Sequence, residues 1–225
     1  MNKKDLSIKK TKKPWPTKAA MEQVYEMKLW GGGKADFYSG AGSHEPELVN
    51  PYIDAVSSFL ESFEKPLTVC DLGCGDFNVG KHLVQHTKKY VAVDIVSDLI
   101  ARNQATFNEE NLEFQCLDIA VDELPAADCV LLRQVLQHLS NTEVQRIVSN
   151  LTDYKYVIVT EHVPEGAFTP NKDIISGQGI RLNVQSGIDL LAPPFDFQVK
   201  ENKQLLAVPF EEDKGVIVTT FYVVL

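Results

Sequence analysis

The stretch Leu67-Thr68-Val69-Cys70-Asp71-Leu72-Gly73-Cys74-Gly75-Asp76-Phe77-Asn78-Val79-Gly80 constrains the fold more than any other part of the chain. Leu67 to Cys70 reads as a short buried strand, and Asp71 closes it. Two glycines one residue apart follow, and a helix pattern begins after Asn78. Strand, Gly-x-Gly turn and helix in that order make a nucleotide-cofactor loop. Gly73 and Gly75 lack a Cβ, so the backbone turns tightly and leaves room for a close neighbour. A helix there would bring its free N–H groups and the positive end of its dipole to the same place.

Two further acids stand in register with that turn. Tyr90-Val91-Ala92-Val93-Asp94 reads as a second strand, its acid 23 residues beyond Asp71. Leu112-Glu113-Phe114-Gln115-Cys116-Leu117-Asp118 reads as a third, its acid 24 residues beyond Asp94. In a parallel sheet the three carboxylates share the carboxyl edge, where open α/β sheets bind ligands. A nicotinamide dinucleotide loop would need a third glycine at position 78, which is Asn78.

On these motifs the chain, from about Val56 to Leu225, resembles the class I S-adenosylmethionine-dependent methyltransferases. The resemblance implies a three-layer, Rossmann-like α/β fold. Its seven-stranded, mostly parallel sheet has the order 3-2-1-4-5-7-6, with strand 7 antiparallel. It also implies that Asp94 holds the ribose hydroxyls and that Asp118 and Ile119 hold the adenine edge. The Gly73–Gly75 turn then faces the methionine part. Asp71, Gly73, Cys74, Gly75, Asp94, Ile95, Asp118, Ile119 and Arg133 are the expected cofactor contacts. Where the family's Gly-x-Gly-x-Gly pattern has its third glycine, this chain has Phe77, which either narrows the pocket or packs beneath the helix.

The 225 residues suffice for one α/β domain with an accessory segment. No apolar run reaches membrane-spanning length, and the N-terminus lacks a secretory apolar stretch. Cys70, Cys74, Cys116 and Cys129 sit in or beside strands, as small buried side chains of a reducing, cytoplasmic compartment. Residues 1–18 hold seven lysines and one acid, so the rest carries −15 against −9 for the whole chain. So acidic a body repels a phosphate backbone, and no nucleic-acid partner is expected.

Residues 1–16 read as a disordered Lys-rich leader, and residues 17–49 as a helix and lid loop. Residues 50–225 are the cofactor-binding domain, with 162–194 as a substrate-side insertion. Thr17 is the expected cap of a helix reaching Trp30, and Asn50-Pro51 the expected start of the next. Ser140 to Glu143 spells a capping box before Val144, Ile147, Val148 and Leu151 at helical spacing. Ala127–Leu132, Tyr156–Glu161, Phe195–Lys200 and Val216–Val224 are the remaining expected strands.

Transfer of an activated methyl needs alignment more than side-chain chemistry. A hydroxyl nucleophile must also lose its proton, so a base is expected for O-methylation. His138 follows strand four, and Glu161 and His162 end strand five, so these three are the catalytic candidates. Glu161, His162 and Asp173 could gather a metal, but no spacing demands it and no metal is expected. The segments around Trp30, Tyr38 and Arg181 resemble a little-characterised group of small-molecule or glycan methyltransferases. That likeness makes Trp30, Tyr38 and Arg181 the candidate acceptor contacts and a polar small molecule the expected acceptor. Methylation of protein, RNA or nitrogen, an NAD-dependent oxidoreductase and a non-catalytic binding module are the alternatives. The oligomeric state is left open.

Overall fold

The computed structural model describes residues 14–33, 35–210 and 214–225; the expected leader up to residue 13 lies outside them. Seven strands form one sheet: β1 Thr68–Leu72, β2 Lys89–Asp94, β3 Leu112–Cys116, β4 Cys129–Arg133, β5 Tyr156–Val163, β6 Val199–Pro209 and β7 Val216–Val224. The order is β3-β2-β1-β4-β5-β7-β6. The first five pair in parallel, and β7 runs antiparallel to β5 and β6. Strand order reverses between β1 and β4, which opens the crevice at their carboxyl ends.

Alternation along the strands divides the core into two layers. Cys70, Leu72, Val130, Leu132, Val157 and Val159 face one side, where helix α4 (Asn141–Leu151) lays Val144, Ile147, Val148 and Leu151. Val69, Tyr90, Ala92, Leu131 and Ile158 face the other, against Val49, Tyr52, Val56 and Leu60 of α2 (Pro46–Glu61) and Ile100 of α3 (Ser97–Thr106). Helix α1 (Thr17–Glu26) lies outside these layers, with Met21 and Tyr25 packed on Val96 and Leu99.

The capping box forms as expected. Ser140 accepts the Glu143 N–H, and Glu143 accepts the Ser140 N–H. Other boundaries moved. Thr17 caps nothing: it is the first residue of α1 and donates its hydroxyl to Glu143 instead. Helix α1 stops at Glu26, and Lys28 turns left-handed at φ 51°. Helix α2 starts at Pro46, and Pro51 lies inside it. Leu48 and Val49 are buried one turn ahead of Pro51, so packing extends the helix past the local start signal.

The helix expected after Asn78 is two 3-10 turns, Gly80–His82 and Val84–His86. Only ten residues separate Asn78 from β2. A 3-10 turn rises about 2.0 Å per residue against about 1.5 Å for an α-helix, so it covers more of the layer. Strand β6 begins at Val199, not Phe195. Asp196 is left-handed at φ 45°, and Phe195 and Phe197 plug the core before the extended run starts.

Candidate active site

Gly73 and Gly75 both take positive φ, 85° and 56°, as a tight turn requires. The space a side chain would fill is taken by protein. A Cβ on Gly73 would lie 2.3 Å from Val135, and one on Gly75 would lie 2.4 Å from Ser39 Oγ. The Gly73 and Cys74 N–H groups both donate to the Val93 carbonyl, and Gly75 N–H donates to Asp94 at 3.1 Å. Phe77 is fully buried against Tyr90, Phe107 and Phe114, so it packs beneath the turn.

The N-terminal segment is tied onto this turn. Asp76 accepts the Ser39 N–H at 2.9 Å and contacts His44 Nε2 at 2.6 Å, and its own N–H donates to Ser39 Oγ. Asn78 donates to the Ser43 carbonyl and Arg133 to the Gly42 carbonyl. Asp76 and Asn78 thus serve as anchors for the loop, a role that local spacing does not signal.

Between turn and segment lies an inner cavity of about 130 Å³. Gly73, Cys74, Gly75, Asp94, Ile95, Asp118, Ile119 and Arg133 all line it, and Thr17, Met21, Tyr25 and Trp30 roof it. Asp94 is buried; its oxygens accept N–H groups from Gly75 and Val96, leaving acceptor capacity toward the cavity. Burial pushes its carboxyl above the usual range, and those N–H groups work against the rise. Asp118 closes its own loop by accepting the Ala120 N–H.

Asp71 does not line this cavity. It sits behind the turn, accepting the Tyr90 hydroxyl at 2.9 Å. Burial pushes its carboxyl up to about 7, and the Tyr90 hydroxyl opposes the rise. Its neighbour Arg133 stacks over Tyr52 at 4.8 Å.

A second, open chamber of about 950 Å³ adjoins the first and shares Trp30, Ser39, Gln134 and His138 with it. His162 lines the chamber, its Nε2 spent on the Lys214 carbonyl at 2.6 Å. His138 stands at the junction beside the Trp30 ring, 5.1 Å between centroids. Its Nδ1 lies 3.1 Å from the Gly179 carbonyl, which can only accept, so Nδ1 carries the proton and Nε2 keeps a lone pair. Burial lowers its pKa to about 4, so the ring is neutral near pH 7.

Besides Asp71, three expected site residues lie outside both cavities. Glu161 reaches neither cavity; both its oxygens accept backbone N–H groups, from Leu136 at 2.9 Å and Gln137 at 3.0 Å. It anchors the 3-10 turn Leu136–His138 from below, and burial pushes its carboxyl up to about 8 against those donors. Arg181 is fully buried and donates to the Leu136 carbonyl at 2.6 Å and to Asn141 at 2.7 Å. Tyr38 stacks on His44 outside both cavities, 4.3 Å between centroids. Of the lining residues not expected at the site, Tyr25 showed only helical spacing and Ser39 and Gln134 showed none, because each arrives from a different element. Among the described residues, no group of three His, Cys, Asp or Glu could hold a metal, and no helix is long and apolar enough to cross a membrane.

A family model described as a methyltransferase domain matches residues 70–154. Residues 70–154 thus match a methyltransferase domain, on the Rossmann-like fold of the class I methyltransferases. Among solved structures, the chain superposes on the N-methyltransferase NodS from Bradyrhizobium japonicum with bound S-adenosylhomocysteine. The TM-score is 0.67 at 13% identity, over 91% of this chain and 98% of that one. Magnesium protoporphyrin IX methyltransferase from Synechocystis with bound S-adenosylmethionine gives 0.60 at 16% identity, over 96% and 100%. Human N-acetylserotonin methyltransferase gives 0.60 at 15% identity, over 93% and 60%. No curated protein sequence matches the chain.

The donor set fits the methyltransferase cofactor: a buried carboxylate with spare acceptor capacity for a diol, a second acid with Ile119 beside it, and a glycine turn. S-adenosylhomocysteine at about 100 times its dissociation constant should add about 2.7 kcal/mol of stability. At about 2–4 °C per kcal/mol, the melting temperature rises by about 5–11 °C in a calorimetric scan. A larger rise with NAD would contradict the fit.

Proposed function

We propose that the methyltransferase acts on a polar small molecule and methylates it at oxygen, with residues 17–49 as its lid. The observation that carries the reading is the meeting of the inner cavity and the open chamber at His138. S-adenosylmethionine supplies a methyl on a positively charged sulfur, and its transfer leaves a neutral thioether. Asp94, Asp118, Ile119, Cys74 and the glycine turn hold the cofactor. Asp71 supports the turn from behind. Trp30 walls the junction and keeps water from the reacting atoms.

His138 Nε2 accepts the acceptor hydroxyl. The Gln137 amide touches Nε2 at 3.4 Å, too long to compete strongly for the lone pair. The hydroxyl proton becomes strongly acidic only as its oxygen takes the methyl, so a weak base suffices and can pass the proton to water in the chamber. Glu161 and Arg181 act through the backbone of the turn that carries His138.

With its pKa lowered to about 4, His138 stays unprotonated well below the ordinary 6.5. Turnover should therefore be flat from about pH 6 to 8 and fall only below about pH 5. An acid limb centred near pH 6.5 would contradict the buried neutral imidazole. The function is tested with labelled S-adenosylmethionine and a small-molecule cell extract, locating the methyl in the product by NMR. O-methylated product is expected; label on nitrogen, or only in protein or RNA, would overturn the reading.

A further inference from the structure

Gln134 follows the last residue of β4 and lines both cavities. Its φ is 57°, a left-handed conformation that a non-glycine side chain rarely takes. Its N–H donates to the Thr160 carbonyl at 2.7 Å, which extends the β4–β5 pairing and fixes its place. Its side chain presses on the lid loop at Gly42, where a Cβ would lie 2.0 Å from Gln134 Oε1. Glycine at 42 thus makes room for this amide. Strained residues of this kind persist where the surroundings hold them, and they cluster at functional sites.

The amide is also unspent. It is only part-exposed, yet among the described residues it has no hydrogen-bond partner. Two neighbouring polar side chains are engaged. Ser39 pairs with Asp76 and Tyr25. The Gln137 side-chain oxygen accepts the His162 N–H, and its NH2 lies 3.4 Å from the Gln134 carbonyl.

We propose that Gln134 orients the methyl acceptor, pairing its amide with the receiving hydroxyl opposite His138 Nε2. The inference rests on the reading of the chamber as an acceptor site. An amide offers one acceptor oxygen and two donors without charge. It therefore suits a neutral hydroxyl and gives no charge to a carboxylate or phosphate at that position. Held by Gln134 and His138, the oxygen would have a lone pair left to face the methyl.

The test uses the full chain with substitutions Gln134→Leu, Gln134→Gly and Gln134→Glu. Leucine keeps the size without hydrogen bonding, and glycine accepts the left-handed backbone without strain, so folding is not the limiting factor. The probes are S-adenosylhomocysteine, for affinity by calorimetry, and a cell extract of small molecules, for labelled-methyl transfer. Leucine and glycine should keep the S-adenosylhomocysteine affinity within about two-fold and lower transfer by about 10- to 100-fold. Glutamate, ionised at pH 8, has no N–H to offer an oxygen whose proton goes to His138, so it should transfer no better than leucine there. Unchanged transfer in the leucine and glycine variants would overturn the proposal. So would a ten-fold loss of S-adenosylhomocysteine affinity alongside lost transfer, which would assign the amide to the cofactor. If the unaltered protein labels nothing in the extract, the small-molecule reading fails, and this proposal with it.

Discussion

Arg181→Met should lower the melting temperature by about 6–20 °C while leaving S-adenosylhomocysteine affinity nearly unchanged. Arg181 is fully buried, and it holds the Leu136 carbonyl and the Asn141 side chain with short, charge-assisted bonds of 2.6 and 2.7 Å. Burial lowers its pKa, and Glu161 and Asp173 oppose that. Methionine fills most of the volume but leaves the carbonyl and the nearby Glu161 without their cation. Breaking such a buried arrangement costs about 3–5 kcal/mol. Arg181→Lys should recover only part of the loss, because an ammonium cannot present the planar fork that reaches both partners. Thermal unfolding and a cofactor titration on the same samples decide the matter. A stable variant with weakened acceptor binding would return Arg181 to the substrate role that its sequence context suggests.

Asp94→Asn should weaken cofactor binding by about 2–4 kcal/mol, roughly 30- to 1,000-fold. The carboxylate can make a charge-assisted bond to each of two vicinal hydroxyls, and the amide loses the charge and one acceptor oxygen. Asparagine is the informative choice. Gly75 and Val96 donate to different oxygens of Asp94, so asparagine keeps one of these two bonds where alanine loses both, and a melting scan of the apo variant separates damage to the turn from lost binding. Calorimetry with S-adenosylhomocysteine reads the change directly, and unaltered affinity would remove Asp94 from the cofactor site.

Much of the fold could be read locally. Strands β1, β2, β4, β5 and β7 announce themselves as apolar runs, because a parallel sheet covered on both faces needs them. Helix α4 carries both its cap, Ser140, and its apolar stripe within twelve residues. The cofactor side was legible for the same reason. A strand end, a glycine turn and an acid are neighbours in sequence, and the parallel sheet brings three such ends to one edge. The 3-10 turns after Asn78 were not legible, because apolar spacing does not separate them from a short helix.

The acceptor side depends on contacts between distant residues. Glu161 and Arg181 look reactive in sequence, yet hydrogen bonds spanning 25 and 45 residues spend them on the backbone of the His138 turn. Thr17 looks like a cap and instead reaches Glu143, 126 residues away. Gln134 looks ordinary, and only the approach of Gly42 and Trp30 places its amide at the junction. In the sequence, periodicity and turn chemistry, which act over a few residues, marked the strands and the cofactor edge, and the family resemblance implied the layered sheet and its order. Which polar side chains face the chamber, and which are consumed in holding it, was decided by tertiary structure. A buried polar group must find a partner wherever the fold supplies one, and no local pattern records where that is.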